Sequence, residues 1–91
     1  MITFKDLTVD TDRKSCYIGD QEILLTKTEY NLLLSLLSNK NKVLNRKELA
    51  RLVWDNPVSS RSVDTTVSRL RKKLKGIKLT TRVCFGYGLL E

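Results

Sequence analysis

The residues able to do chemistry in this chain crowd onto one segment, Arg61 to Lys75, which reads RSVDTTVSRLRKKLK. It carries Arg61, Arg69, Arg71, Lys72, Lys73 and Lys75, with Thr65 and Ser68 between them and Asp64 as its single acid. Long cationic side chains suit phosphate oxygens, and short hydroxyls allow close approach to base edges. Covalent chemistry finds no such concentration. Without histidine, general acid–base work would fall to carboxylates, lysine or tyrosine. The acids are scattered without paired spacing, and no glycine-rich phosphate loop occurs. Cys16 and Cys84 lack metal-type spacing and read as reduced thiols. These features indicate a binding protein, with no enzyme activity, cofactor or metal expected.

Placed on a helix, the segment separates into two faces. Val63, Val67, Leu70 and Leu74 recur at i, i+4, i+7 and i+11, one narrow apolar stripe. Arg61, Thr65, Ser68 and Lys72 fall opposite, with Arg69 beside them and Arg71 on the flank. The bland alternative is a solvated surface on a core helix. Charge distribution argues against it. The chain carries 17 basic and 10 acidic residues, a net charge of +7. Residues 1–59 hold nine basic and eight acidic residues, and residues 60–91 hold eight and two. A lopsided layout of this kind marks a polyanion footprint. A membrane surface would require bulky or aromatic anchors on the buried side, and the stripe has none. RNA binding is disfavoured because aromatic residues are only 7% and form no stacking platform.

The elements that position this helix follow from the remaining pattern. Ninety-one residues, 41% apolar and 30% charged, suit one small globular domain. No apolar run is long enough to span a membrane, and Lys5 and Asp6 interrupt any signal-like region, so a cytoplasmic location is expected. Residues 1–25 read as three or four short antiparallel strands, with a break at Lys5-Asp6, a turn over Asp10 to Lys14 and a hairpin at Gly19-Asp20-Gln21. Thr26 and Glu29 form a capping box opening a leucine-rich helix over 26–39. Asn45 and Glu48 repeat the pattern for a helix over 45–54, after a short extended link at Val43-Leu44. Ser59 or Ser60 caps the basic helix, 60–75, which Gly76 closes. Ile77 to Val83 and Tyr87 to Leu90 read as a terminal hairpin within 77–91. The expected fold is α+β, a winged helix-turn-helix with an N-terminal antiparallel sheet, three helices and a C-terminal β-hairpin wing.

Leu25-Thr26-Lys27-Thr28-Glu29-Tyr30, Val43 to Leu49, Val53-Trp54, Arg61 to Asp64, Ser68 to Leu74 and Gly86 to Leu89 resemble the OmpR/PhoB-type effector domain of two-component response regulators. The resemblance covers essentially the whole chain. It implies sequence-specific binding of double-stranded promoter DNA, often as tandem copies on direct repeats, with the third helix in the major groove. On that basis Arg61, Asp64, Thr65, Thr66, Ser68, Arg69 and Arg71 occupy base- or phosphate-contacting positions. Trp54 and Thr81 match backbone contacts, and Tyr87 matches an aromatic near the backbone. Lys72 on the basic face and Arg82 in the wing complete the expected DNA-binding set. The loop from Asp55 to Ser60 is where such domains often meet RNA polymerase. A winged-helix module docking an acidic protein partner is the alternative.

The wing departs from the family pattern T-V-R-G-x-G-Y-R. Val83 stands at the minor-groove arginine position, with Arg82 one place earlier and expected to point away from DNA. Gly88 replaces the arginine after the tyrosine. The loop before Arg61 is shorter than usual. No receiver-like segment precedes Thr3, and the favoured reading is an effector part of a longer regulator rather than a regulator without phosphorylation control.

Overall fold

The computed structural model describes residues 1–54, 56 and 58–90. Four strands open the chain: β1 (Ile2–Phe4), β2 (Leu7–Asp10), β3 (Ser15–Ile18) and β4 (Gln21–Ile23). They pair in sequence order, each antiparallel to the next. Phe4, Leu7, Val9 and Cys16 point into the core. The break at Lys5-Asp6 is a tight turn, since Phe4 pairs directly with Leu7 and Lys5 adopts φ 53°. The turn after β2 is organised by Asp10, whose Oδ1 accepts the Asp12 and Arg13 amides at 3.1 and 3.2 Å.

Three helices follow: α1 (Lys27–Ser38), α2 (Arg46–Val53) and α3 (Ser60–Lys73). Each begins where a side chain satisfies an orphan amide. Thr26 and Glu29 close a complete capping box on α1, and Asn45 and Glu48 do so on α2. Ser59, the nearer of the two serines, caps α3 through the Ser62 amide. The third helix ends earlier than 75. Leu74 is its C-cap, and Gly76 lies beyond it at φ 87°. The stripe explains the stop, since Leu74, Ile77 and Leu79 are all buried and the chain must turn to bury all three.

Helix α3 is held by packing rather than by propensity. The run from Val63 to Val67 is β-branched except for Asp64, a composition that costs several tenths of a kcal/mol per residue in an isolated helix. Val63, Val67, Leu70 and Leu74 are each 1% exposed or less. Burying each contributes roughly 1.5–3 kcal/mol, which outweighs the propensity deficit. They join Leu32, Leu33 and Leu36 of α1, Leu49 of α2 and Phe4, Leu7 and Val9 of the sheet in one core.

The C-terminal hairpin is shorter than expected, with β5 over Thr80–Arg82 and β6 over Gly86–Gly88. It also gains a neighbour. Leu44 bridges Tyr87 by two backbone bonds of 2.8 and 3.0 Å, so the link between α1 and α2 lies against the wing. The approach is close enough to require glycine. A Cβ on Gly86 would overlap the Leu44 carbonyl, and one on Gly88 would overlap the Lys42 carbonyl oxygen. Gly88 is therefore a contact requirement of this hairpin as well as a missing charge.

An ion pair joins the first and third helices. Lys73 Nζ donates to Glu29 Oε1 at 2.6 Å, and the Glu29 side chain is only 4% exposed. Burial pushes the Glu29 carboxyl up, but bonds from Lys73 and from the Thr26 backbone and hydroxyl outweigh it and leave it below the ordinary value. Its stabilisation is present above the unfolded carboxyl pKa, about 4.3, and is lost as pH falls through the lower folded value.

Two outcomes follow from these contacts. Lys73→Met should cost roughly 1–3 kcal/mol at neutral pH by urea unfolding, a range kept modest because the Lys73 side chain is 39% exposed, and it should shrink the acid-induced loss. Equal stability curves for variant and wild type would remove the pair from the account. Gly88→Arg, which restores the family charge, should instead destabilise by at least about 2 kcal/mol in the same assay.

Candidate nucleic-acid interface

The structure sorts the expected contact residues into three groups. Arg61, Thr65, Ser68, Arg69 and Lys72 are exposed on α3 and have no hydrogen-bond or ion-pair partner among the described residues. They form the free polar face opposite the buried stripe. Capping by Ser59 fixes where the helix starts and so which residues face outward.

Asp64, Arg71, Thr81 and Tyr87 are engaged within the protein. The Asp64 Oδ1 accepts from Arg46 Nε at 2.7 Å and from the Tyr87 hydroxyl at 2.6 Å. The Arg46 guanidinium also stands 6.0 Å from the centre of the Tyr87 ring. The bond from Arg46 is the main influence holding the Asp64 carboxyl below its usual range, followed by that from Tyr87. Burial pushes the Tyr87 phenol up, and its bond to Asp64 adds to the shift. Arg71 Nη2 donates to the Leu79 carbonyl at 2.9 Å and to Thr81 Oγ1 at 2.6 Å. Its Nε and Nη1 donors have no partner among the described residues.

Thr66, Trp54 and Arg82 stand apart. Thr66, a contact position by the family resemblance, is 8% exposed and its hydroxyl donates to the Ser62 carbonyl at 2.9 Å. The residue reaches only the floor of the adjoining concavity. Trp54 is half-buried at the end of α2. Arg82 shares a shallow groove with Val43, Asn45, Glu48 and Phe85, while its neighbour Thr81 meets Arg71 on α3.

A concavity of about 550 Å³ lies between the start of α1 and α3. It gathers Trp54, Arg61, Thr65 and Arg69 beside Thr26, Thr28 and Ser59. Two arginines and several hydroxyls in one hollow suit a phosphate oxygen cluster. Thr26 was not singled out for the concavity because its residue type is explained by helix capping, and Thr28 lies inside the same capping segment without a signal of its own. Arg46 was missed because its partner Asp64 lies 18 positions away, with no local signal joining them. Of the loop from Asp55 to Ser60, Asp55 and Pro57 lie outside the described residues. Asn56 there is exposed and Val58 packs against the core.

An antiparallel sheet, three helices and a terminal hairpin beside a free basic helix face define a winged-helix nucleic-acid-binding domain. Residues 20–89 match the family described as "Transcriptional regulatory protein, C terminal". The chain belongs to that family, the OmpR/PhoB type found in response regulators. It is 38% identical over 88 residues to the transcriptional regulatory protein VxrB of Vibrio cholerae, covering 94% of this chain and 36% of VxrB. The chain thus spans about a third of that relative. Its fold matches the response regulator AdeR DNA-binding domain, solved in complex with an intercistronic region, with a TM-score of 0.90, 32% identity and full coverage of both chains. It also matches DrrB, an OmpR/PhoB homologue from Thermotoga maritima, with a TM-score of 0.89, 32% identity and coverage of 98% of this chain and 43% of DrrB. The family is one of transcription regulators rather than enzymes.

Removing the phenolic hydroxyl tests the node at Asp64. Tyr87→Phe should cost about 1 kcal/mol and speed amide hydrogen exchange over residues 80–88. Unchanged exchange there would show that this bond does not hold the hairpin.

Proposed function

We propose that this chain binds double-stranded promoter DNA in a sequence-specific manner, as the effector part of a response regulator that controls transcription. Helix α3 enters the major groove with Arg61, Thr65, Ser68, Arg69 and Lys72 toward the duplex. The observation that carries this reading is the contrast between its two faces. One is sealed into the core, and the other holds three cations and two hydroxyls that no group of the described protein uses. The hollow at Trp54, Arg61 and Arg69 seats a backbone phosphate at one end of the helix. Membership of the family, and the AdeR domain's complex with an intercistronic region, support duplex DNA as the partner.

Two finer assignments belong to the same proposal. RNA polymerase meets the region around residues 55–60, where a groove lined by Arg46, Lys47, Arg51, Trp54 and Val58 offers cations beside apolar surface. Tandem self-association on direct repeats is carried by the family resemblance alone. Among the described residues no helix is long and apolar enough to cross a membrane.

A salt titration on a duplex selected from a random pool tests the proposal. About three phosphate contacts, one for each free cation, give a slope of log K against log salt near −2.7, and a flat response would overturn the reading. Arg69→Ala should cost roughly 1–3 kcal/mol on the selected duplex if it reads a base edge. The same loss on unrelated duplexes would reassign it to phosphate positioning.

A further inference from the structure

A groove of about 650 Å³ lies between α2 and the start of α3. Its floor is apolar, made of Ala50, Trp54, Val58 and Val63. Val63 is sealed into the core, but Ala50, Trp54 and Val58 are only half-buried, so part of each stays open to the groove. Its rim is cationic. Arg46, Lys47 and Arg51 are all exposed, and no acid lines the groove among the described residues. Helical spacing produces the arrangement: Arg46, Ala50 and Trp54 recur every four residues, with Lys47 and Arg51 one place on. Lys47 and Arg51 have no hydrogen-bond or ion-pair partner among the described residues.

Floor and rim together call for one kind of occupant. Hollows of this size suit small ligands, apolar over most of their surface, with a few polar groups fixing orientation. An apolar body on the floor removes surface of Trp54 and Val58 from water. A carboxylate at the rim meets guanidinium and ammonium donors in charge-assisted bonds. An inorganic anion would leave the floor wet, and a neutral hydrocarbon would gain nothing from the three cations.

Arg46 gives the groove a second property. Its Nε donates to Asp64 Oδ1, and the same oxygen accepts from the Tyr87 hydroxyl. The Arg46 and Asp64 side chains are 46% and 40% exposed, so their pair is open to competition. A second carboxylate at the rim divides one guanidinium between two acids. Occupancy of the groove and the grip of α3 on the hairpin then oppose each other, by the same factor from whichever side it is measured.

We propose that the groove between α2 and α3 binds a small amphiphilic carboxylate, with its apolar body against Trp54 and its acid at Arg46, Lys47 and Arg51, and that this ligand competes with Asp64 for Arg46. The proposal goes beyond the DNA-binding and polymerase readings and rests on neither, since its test needs only this chain. Trp54 is the only tryptophan, so its fluorescence reports on the groove directly. Octanoate is the probe, with octanol as its neutral counterpart and acetate as the acid without an apolar body. Octanoate should change the emission saturably, octanol should bind at least about tenfold more weakly, and acetate should give no saturable change. Combined Lys47→Gln and Arg51→Gln should weaken octanoate roughly tenfold, with thermal melting showing the fold intact. Asp64→Asn keeps an oxygen for the Tyr87 hydroxyl and should tighten octanoate about fivefold, the low end for coupled sites. In the wild type, saturating octanoate should speed amide exchange over residues 80–88 by a similar factor, which tests the coupling without any substitution. No saturable change with octanoate overturns the site. Equal binding of octanol overturns the role of the cations and with it the proposal. Unchanged affinity in Asp64→Asn, or unchanged exchange in the wild type, overturns the competition for Arg46.

Discussion

One carboxylate oxygen joins three elements of this protein. Asp64 lies on α3, Arg46 at the start of α2 and Tyr87 on β6, and both partners bond the same Oδ1. Asp64 is the fifth residue of α3, just past the first turn. That location brings it within reach of both donors. The helix, its neighbour and the hairpin are therefore oriented around one point. Backbone bonds between Leu44 and Tyr87 add a second attachment for the hairpin. Without this convergence a short hairpin would be marginal, since a two-stranded ribbon has little stability of its own.

The protein spends some cations on itself and leaves others open. Arg46, Arg71 and Lys73 are engaged by Asp64, by Leu79 and Thr81, and by Glu29. Arg61, Arg69 and Lys72 are not so engaged among the described residues. Asp64 and Glu29 balance Arg46 and Lys73 locally, whereas Arg71, bonded only to neutral groups, keeps its charge. The division also separates residues that set the pose of α3 from those that face outward. Asp64, Thr81 and Tyr87 help to set that pose, while Thr81 stays exposed and the Asp64 side chain is 40% exposed.

Much of this was legible in the sequence where the signal is local. Capping boxes at Thr26 and Asn45 fixed two helix starts to the residue, because both donors and acceptors lie within four positions. The stripe of Val63, Val67, Leu70 and Leu74 identified the buried face of α3 correctly. Long-range requirements were not legible. Nothing near Asp64 announces Arg46, and nothing near Gly88 announces the Lys42 carbonyl. The end of α3 was misplaced because Gly76 is a strong stop signal, while the turn is set earlier by burial of Leu74 and Ile77. Thr66 was named through the family resemblance alone, and nothing local announced that its hydroxyl bonds back to the Ser62 carbonyl at the edge of the core.

The seam between the wing and the α1–α2 link has a mechanical consequence. Glycine contacts at Gly86 and Gly88, with the bridge at Tyr87, seat the base of the hairpin directly against the α1–α2 link. On the proposed reading as a DNA-binding domain, a hairpin held this closely shifts part of the cost of a mismatched fit onto the duplex. Discrimination would then depend partly on how readily a given run of base steps bends or narrows, including at positions no side chain touches.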